Sequence, residues 1–378
     1  MGFAVKITPN INELRAIKKE WNTFVERNSD NPFLLFELMS KFGESGRAES
    51  WQPLFFVGYD GKEIVGIAPL MIRKMFGTRL ATVYLRPYYS PDFVVNERFE
   101  KEFIRRIIDL LLSAIGCRAI DLVFPSESRN LSALIDHCRN ERIHFWIEPC
   151  LGHRMLKVEG DERLLEQSLS RNSRKSFRRA ERTLREMGAC EILCAERDEL
   201  ESGGFRKIME IDKQSWKQGW RAQRGQEIDH DLVDIWNGSR QAARNVSDFK
   251  CKAWILELNK SPIAFTFILQ YKKTAYFTKS SYVAQACYAH CTPGLIVRHA
   301  ALRALFDSKS VDRIDFLTDF PYMKRWTALC QSRTRILLVK GRAEQLAMSL
   351  YMNAILRRIL NSARVMSSKT AASKKLIL

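Results

Sequence analysis

The pattern of apolar and polar positions predicts strands and helices in the same order in the two halves of the chain. Strand patterns at 53–59 and 63–73 flank the turn Asp60-Gly61, and the second half repeats this with three strands between 251 and 282 that turn at Asn259-Lys260-Ser261-Pro262. A helical pattern follows in each half, at 101–115 and at 294–308. Similar strands close the two series: Cys117-Arg-Ala-Ile-Asp-Leu-Val-Phe-Pro125 and Val311-Asp-Arg-Ile-Asp-Phe-Leu-Thr-Asp-Phe-Pro321. The repetition predicts two copies of one α/β unit.

The remaining patterns fill in both copies. We predict strands at 3–8, 79–85 and 190–196, a strand pair near 333–340, and helices at 10–27, 33–42, 161–187, 205–219 and 228–244. This order predicts a mixed α/β sheet that splays between the fourth and fifth strands of a copy, where a narrow ligand can lie. The predicted domains are 1–152, 153–341, and a C-terminal helix with a basic tail at 342–378.

Bulk composition excludes several classes of protein. With 378 residues, 46% apolar residues, 22 Phe and 8 Trp, the chain is expected to fold as a packed globule of two domains. No apolar stretch is long enough to span a bilayer, and the N-terminus lacks the apolar region of a signal peptide.

Nine cysteines fit a reducing compartment, and the pairs Cys190/Cys194 and Cys287/Cys291 lack a second half-site, so no metal is predicted. We expect a soluble cytoplasmic protein, with peripheral contact at the inner membrane surface as the alternative for the helix predicted at 344–360.

The net charge of +18 is concentrated at 171–186 and in the C-terminal stretch after 342. On a helix, one arc carries the cations Arg171, Arg174, Lys175, Arg178, Arg179, Arg182 and Arg185. The residues opposite them are Phe177, Ala180, Leu184 and Met187. Like charges at these spacings repel and weaken the helix, so this face is better suited to binding an anionic partner than to stabilising the fold. The alternative is that it is an ordinary solvated basic face.

The segment Cys291-Thr-Pro-Gly-Leu295 has the composition of a helix start. Thr292 fits the N-cap and Pro293 the first helical position, which leaves the free amides of Gly294 and Leu295 pointing at whatever precedes the helix. Such a helix N-terminus suits a pyrophosphate, but an ordinary helix start is the more frequent meaning of a single Pro-Gly.

A polar cluster follows the last predicted parallel strand. Asp315, Asp319, Tyr322 and Lys324 lie where the strand ends and the chain turns. A carboxylate there can take a proton from an ammonium nucleophile, and a tyrosine hydroxyl can return one to a thiolate leaving group. The alternative is a structural loop with a capping aspartate. The chain has no G-x-S-x-G elbow, Walker loop or G-x-G-x-x-G.

Taken together, these segments resemble the GNAT acyltransferase superfamily, in particular the CelD-like branch (similar to cellulose-biosynthesis protein CelD) that is related to the Fem aminoacyl transferases. The matching residues cover most of the chain: Trp21, Pro32-Phe33, Ile67-Ala-Pro-Leu70, Tyr89-Ser-Pro-Asp92, the 171–182 helix, Ala264, Tyr282, Pro293-Gly294, Asp315-Phe-Leu, Tyr322 and Lys324. The family's two-lobed fold agrees with the duplication, so tandem GNAT-like domains are expected.

The resemblance implies roles for these residues. Thr292 to Leu295 would face the pyrophosphate of an acyl-CoA co-substrate, with no cofactor otherwise bound. The helix residues Arg171, Arg174, Lys175 and Arg178, together with Tyr282, would face the substrate groove, and Asp315, Asp319, Tyr322 and Lys324 would approach the reacting carbonyl. Three departures stand out. Thr318-Asp319 replaces the glycine that is usual after Asp-Phe-Leu, Tyr322 and Lys324 are spaced more loosely than the common Tyr-Lys pair, and the R-x-x-G-x-G/A loop is absent.

Three functions follow from this sequence. The first is acyl transfer from a thioester, expected to be acyl-CoA, to an amine or hydroxyl acceptor such as an amino sugar or a polysaccharide or cell-envelope precursor. An anionic or phosphate-bearing acceptor would suit the basic helix. The second is Fem-like transfer from aminoacyl-tRNA, motivated by the charge. The third is a catalytically degenerate scaffold for envelope assembly, motivated by the altered Asp319 region.

Overall fold

The computed structural model describes residues 2–44, 51–75, 78–84, 89, 91–223, 229–288 and 290–340. Within these ranges the first copy contains strands β1 (Phe3–Thr8), β2 (Trp51–Asp60), β3 (Glu63–Met75), β4 (Thr78–Val83), β5 (Val94–Val95), β6 (Cys117–Pro125) and β7 (His144–Lys157). Its α-helices are α1 (Lys18–Asn28), α2 (Phe36–Glu44), α3 (Glu100–Leu112) and α4 (Arg129–Asn140). The helix predicted at 344–360 and the domain predicted at 342–378 lie outside the described residues.

The second copy repeats this order. Two helices, α5 (Glu162–Ser168) and α6 (Arg171–Met187), connect the copies. The strands that follow are β8 (Cys190–Glu196), β9 (Phe249–Leu258), β10 (Ser261–Tyr271), β11 (Thr274–Tyr282), β12 (Arg313–Asp315) and β13 (Cys330–Val339). The helices are α7 (Arg197–Glu199), α8 (Phe205–Lys213), α9 (Gln218–Ala222), α10 (His230–Asn245) and α11 (Pro293–Ser308). The predicted fold class, a mixed α/β sheet with one order of elements repeated in two copies, is confirmed.

The two copies share one sheet. Its strand order is β1-β2-β3-β4-β6-β13-β7-β12-β11-β10-β9-β8, and β5 pairs with β3 beside this path. Strand β13, which ends the second copy, pairs with β6 of the first, and the end of β7, which closes the first copy, pairs with β12 of the second. Since β7 and β13 also pair with each other, separating the copies would break the main-chain hydrogen bonds of three strand pairs, β6–β13, β13–β7 and β7–β12.

Strand β7 was absent from the sequence prediction, and the predicted domain boundary at 152 falls inside it. Its sequence contains Pro149 and Gly152, which are unfavourable in a central strand. Over most of its length, however, β7 has a single partner among the described residues, β13, and Pro149 pairs there with Thr334. A proline is tolerated where one edge of a strand has no partner that needs its N–H.

The helix predicted at 161–187 is two helices. Leu169 and Ser170 adopt extended conformations between α5 and α6, and the Ser170 hydroxyl accepts from the amide of Ser173 at 3.1 Å. The predicted apolar face is confirmed, because Phe177, Ala180 and Leu184 are buried.

A wedge opens in the sheet of the second copy. Strands β11 and β12 pair over three positions only, ending at Tyr276 and Asp315. The chain after Asp315 then follows β7: the Phe316 amide donates to the carbonyl of Arg154 at 2.9 Å, and the Arg154 amide donates to Thr318 at 3.0 Å. We define the wedge as the opening between 277–282 of β11 and the chain at 316–325, and it confirms the predicted splay.

The corresponding opening in the first copy is filled by the chain itself. Strands β4 and β6 pair only as far as Thr82 and Asp121. Beyond that point Phe93 packs edge-on against Phe124, with ring centroids 5.2 Å apart. A cavity of about 10 Å³ remains, which has room for one water molecule at most. Of these two openings in the sheet, the wedge of the second copy is therefore the candidate for substrate binding, beyond the Phe277–Phe316 ring contact at its narrow end.

Candidate functional site in the second copy

Helix α11 begins at the mouth of the wedge. Pro293 occupies its first turn as predicted, and the Thr292 carbonyl accepts from the amide of Leu295 at 2.8 Å. Thr292 is left-handed (φ 41°) and its side chain makes no cap hydrogen bond, so only its position as the N-cap is confirmed. A Cβ atom at Gly294 would lie 3.0 Å from Cδ1 of Tyr282. Glycine thus allows the helix start and the last residue of β11 to touch, which brings two predicted site regions together.

Tyr322 and Lys324 lie in a 3-10 turn, Pro321–Arg325, on the other side of the wedge. The Tyr322 side chain is 45% exposed and stacks on Phe320, with ring centroids 5.8 Å apart. Lys324 is exposed to solvent. Of the two, Tyr322 is the one that contacts a residue of the wedge, because its ring centroid lies 5.6 Å from the guanidinium carbon of Arg298.

Both predicted aspartates are held by basic side chains. Asp315 is buried, and its carboxylate oxygens lie 2.7 Å from Nδ1 of His153 on β7. It also accepts from the Leu317 amide at 2.7 Å. Asp319 accepts from Nε of Arg154 at 2.5 Å, and the same guanidinium donates to the carbonyl of Ala328. These contacts fix the chain that leaves β12, and any catalytic role of the two aspartates stays a prediction.

The basic face of α6 lies outside the wedge. Its apolar face contacts α11, where Phe177 stacks on His299 with ring centroids 4.4 Å apart. Arg171, Lys175 and Arg178 are exposed on the opposite side. Arg174 is half-buried and donates to the carbonyl of Glu166, which ends α5. The structure therefore does not bring these residues together with Tyr282 and Gly294.

Lys217 is a candidate that the sequence did not identify. It precedes α9, and its Nζ donates to the carbonyl of Ser280 at 2.8 Å, in the part of β11 that borders the wedge. Burial lowers the pKa of Lys217 to about 8, and the neighbouring Lys279 ammonium adds to the shift. Lys279 is itself paired with Asp229 at 3.0 Å. An amine of this kind can lose its proton near neutral pH.

Arg298 was also overlooked, although it lies on the floor of the wedge. Its side chain joins both walls: Nη2 donates to the Ser280 hydroxyl at 2.8 Å, and Nη1 lies 3.4 Å from the Met323 sulfur. The sequence did contain a signal for this residue, because Arg298 is a charged residue in an apolar stretch of helix. Its buried neighbours in the sequence are Ile296, Val297, Ala301 and Leu302.

The described residues contain no helix with the length and apolar character needed to cross a membrane. They also contain no cluster of three metal-ligating side chains.

Comparison with solved structures gives the same fold at low sequence identity. A conserved protein of unknown function from Bacteroides thetaiotaomicron is 10% identical, with a TM-score of 0.55, over 89% of this chain and 100% of that one. FemX is 11% identical, with a TM-score of 0.50, over 84% and 95% of the two chains. The C-terminal domain (DUF2156) of a candidate lysylphosphatidylglycerol synthetase from Agrobacterium fabrum is 12% identical, with a TM-score of 0.51, over 92% and 97%.

Sequence comparison places the wedge within a known domain. No curated protein matches the chain by sequence. The family model described as an acetyltransferase (GNAT) domain matches residues 171–324, which include α6, β11, α11, β12 and the turn with Tyr322. Residues 171–324, in the second copy, are therefore similar to a GNAT acetyltransferase domain.

Proposed function

We propose that the protein is an acyltransferase that moves an acyl group from a thioester, acyl-CoA, to an amine or hydroxyl acceptor. The observation that carries this proposal is the open wedge of the GNAT domain, with the start of α11 at its mouth. A thioester chain entering there would lie along the unpaired edge of β11, and its phosphates would meet the amide of Gly294. The Leu295 amide, which the sequence predicted to be free, already donates to the Thr292 carbonyl at 2.8 Å. The CelD-like branch, and with it an amino sugar or a polysaccharide or envelope precursor as acceptor, is part of this proposal.

In this proposal two side chains move protons. The acceptor nitrogen or oxygen attacks the thioester carbonyl, a bond from carbon to the acceptor forms, and the carbon–sulfur bond breaks. Lys217, in its neutral form, takes the proton that the acceptor loses, and the Tyr322 hydroxyl gives a proton to the departing thiolate. Lys217 lies on the β11 side of the wedge and Tyr322 on the opposite side.

Release of free thiol tests the proposal directly. The purified protein is incubated with a panel of acyl-CoAs and with amines and nucleotide-activated amino sugars, and thiol is followed with a chromogenic disulfide while mass spectrometry identifies the acylated product. We expect acceptor-dependent thiol release with at least one pair of substrates. Thiol release no higher than that of heat-denatured protein across the panel would contradict the proposal.

The pH dependence of the rate tests Lys217. Because burial lowers its pKa to about 8, the amine is charged below that pH and cannot accept a proton, so kcat/KM should rise through pH 8 and level off above it. Lys217→Met should lower kcat by about 10²- to 10⁴-fold and abolish this rise. The matched control is Lys213→Met, an exposed lysine on α8, which should keep the profile of the wild type. An unchanged profile in Lys217→Met would exclude Lys217 as the base.

Fem-like transfer from aminoacyl-tRNA is the second candidate function. The exposed cations of α6 favour it, because they lie on one outer surface where a polyanion could dock. If it holds, charged tRNA should bind with strong salt dependence, and replacing Arg171, Arg178 and Arg179 together by Gln should weaken that binding. Equal affinity of the triple variant would remove this candidate.

A further inference from the structure

Within the part of the chain that the structure describes, Arg298 is a buried cation without an anionic partner. Its side chain is 8% exposed, and among the described residues no carboxylate lies within ion-pair distance of it. Among the described residues its contacts are the hydroxyl of Ser280, the sulfur of Met323 and the side chain of Tyr322, and its Nε has no hydrogen-bond partner there. None of these neighbours carries a negative charge.

Two of the other buried arginines have carboxylate partners. Arg221 is paired with Asp212, and Arg154 with Asp319. Burial lowers the pKa of Arg298, the interaction with Tyr322 opposes this shift, and the like-charged Arg325 adds to it. Burying a charge without a counter-ion is unfavourable, so an anion that reaches this guanidinium would gain an interaction that none of the described residues supplies.

The location of Arg298 determines which anion can reach it. Gly294 and Arg298 are separated by four residues of α11 and therefore share a face, with Arg298 about 6 Å further along the helix axis. The Tyr322 ring, 45% exposed, covers the guanidinium from the solvent side. A group that enters the wedge past Gly294 meets Arg298 next, once it displaces the Tyr322 ring.

We infer that Arg298 is an oxyanion-binding residue of the wedge, which takes a phosphate or carboxylate group of a substrate through the planar fork of its guanidinium. The inference rests on the proposed function in one respect, that the wedge is where a substrate enters. It extends that function by requiring one substrate to carry an oxyanion deep in the wedge, in addition to any group held at the start of α11. A phosphate would come from the donor, and a carboxylate from the acyl group or the acceptor.

Binding measurements on matched variants test the inference. Isothermal titration of the full chain uses pyrophosphate, CoA, succinate and, as the neutral control, pantetheine. Arg298→Met should weaken binding of the oxyanions by about 10- to 100-fold, and Arg298→Lys, which keeps the charge and loses the fork, should fall between. The control variant Arg303→Met removes an exposed cation of the same helix that is paired with Glu162, and should bind all probes as the wild type does.

The probes separate the sources of the oxyanion. A loss confined to pyrophosphate and CoA assigns Arg298 to the donor phosphates, and a loss confined to succinate assigns it to a carboxylate. Pantetheine should bind Arg298→Met as well as it binds the wild type. Equal oxyanion affinities of Arg298→Met and Arg303→Met, or no oxyanion binding by the wild type at millimolar concentration, would overturn the inference.

Thermal stability distinguishes a binding role from a structural one. Methionine has a similar length and needs no counter-ion, so Arg298→Met should melt at or above the temperature of the wild type while it binds oxyanions more weakly. A lower melting temperature with unchanged oxyanion binding would assign Arg298 to the fold and overturn the inference.

The two proposals can fail separately. Arg298-dependent oxyanion binding without thiol release from any acyl-CoA would refute acyl transfer and leave the binding site standing. Thiol release that Arg298→Met retains, with wild-type KM for every substrate, would refute the binding site and leave acyl transfer standing.

Discussion

Asp212→Ala is expected to lower the free energy of unfolding by about 3–5 kcal/mol, because it leaves a buried guanidinium without its counter-ion. The side chains of Asp212 and Arg221 are 1% and 2% exposed. Arg221 donates to the Asp212 carboxylate and backbone carbonyl, and also to the Ser215 hydroxyl at 3.0 Å. The same carboxylate accepts from the amide of Asp229 at 3.3 Å, just before α10. The Asp212 side chain thus connects α8, α9 and the start of α10 through hydrogen bonds.

Urea denaturation followed by circular dichroism measures this effect. Asp212→Asn keeps an acceptor at the same position and should lose less stability than Asp212→Ala. The matched control is Glu102→Ala, which removes an exposed partner of Arg105 and should change the unfolding free energy by less than about 1 kcal/mol. A loss for Asp212→Ala as small as that of the control would show that Arg221 finds another partner or reaches water.

The repeated order of strands and helices was predictable because it is carried by local patterns. The apolar stripe of α6 and the turns at Asp60-Gly61 and Asn259-Lys260 specify their elements within a few residues. Asn259 and Lys260 have φ angles of 51° and 66°, the left-handed conformation that such hairpins need. Strand β7 depends instead on a distant partner, β13, which compensates for Pro149 and Gly152. No local signal marks an exchange of strands between copies.

The site was predictable only in part, for a related reason. The start of α11 and Tyr322 were found because turn chemistry and resemblance mark them. Lys217 and Arg298 owe their properties to burial and to neighbours from other elements, which meet only in the folded chain. Arg298 still had a weak signal, because a charged residue among Ile296, Val297 and Ala301 interrupts an otherwise buried helix face. His153 had none, since its partner Asp315 is 162 residues away.

Tyr322→Phe is expected to reduce kcat of the proposed acyl transfer by about 10²- to 10⁴-fold, because the departing thiolate loses its proton donor. The KM for the donor should change little, since phenylalanine keeps the ring that stacks on Phe320 and faces Arg298. The melting temperature should be that of the wild type, because the side chain is 45% exposed. Steady-state kinetics with the donor and acceptor identified by thiol release give kcat and KM, and Tyr59→Phe in the first copy serves as the control.

The identity of the leaving group makes this test specific to proton donation. In a thioester of an aromatic thiol, the leaving group is an aromatic thiolate, which is a weaker base than the thiolate of CoA and departs without a proton donor. Tyr322→Phe should therefore lose much less activity with such a thioester than with acyl-CoA. A structural role for the hydroxyl would lower both rates by the same factor. If kcat of Tyr322→Phe stays within about twofold of the wild type with acyl-CoA, the proton must come from elsewhere, since a lost general acid costs far more. Lys324, exposed in the same 3-10 turn, would then be the next donor to replace.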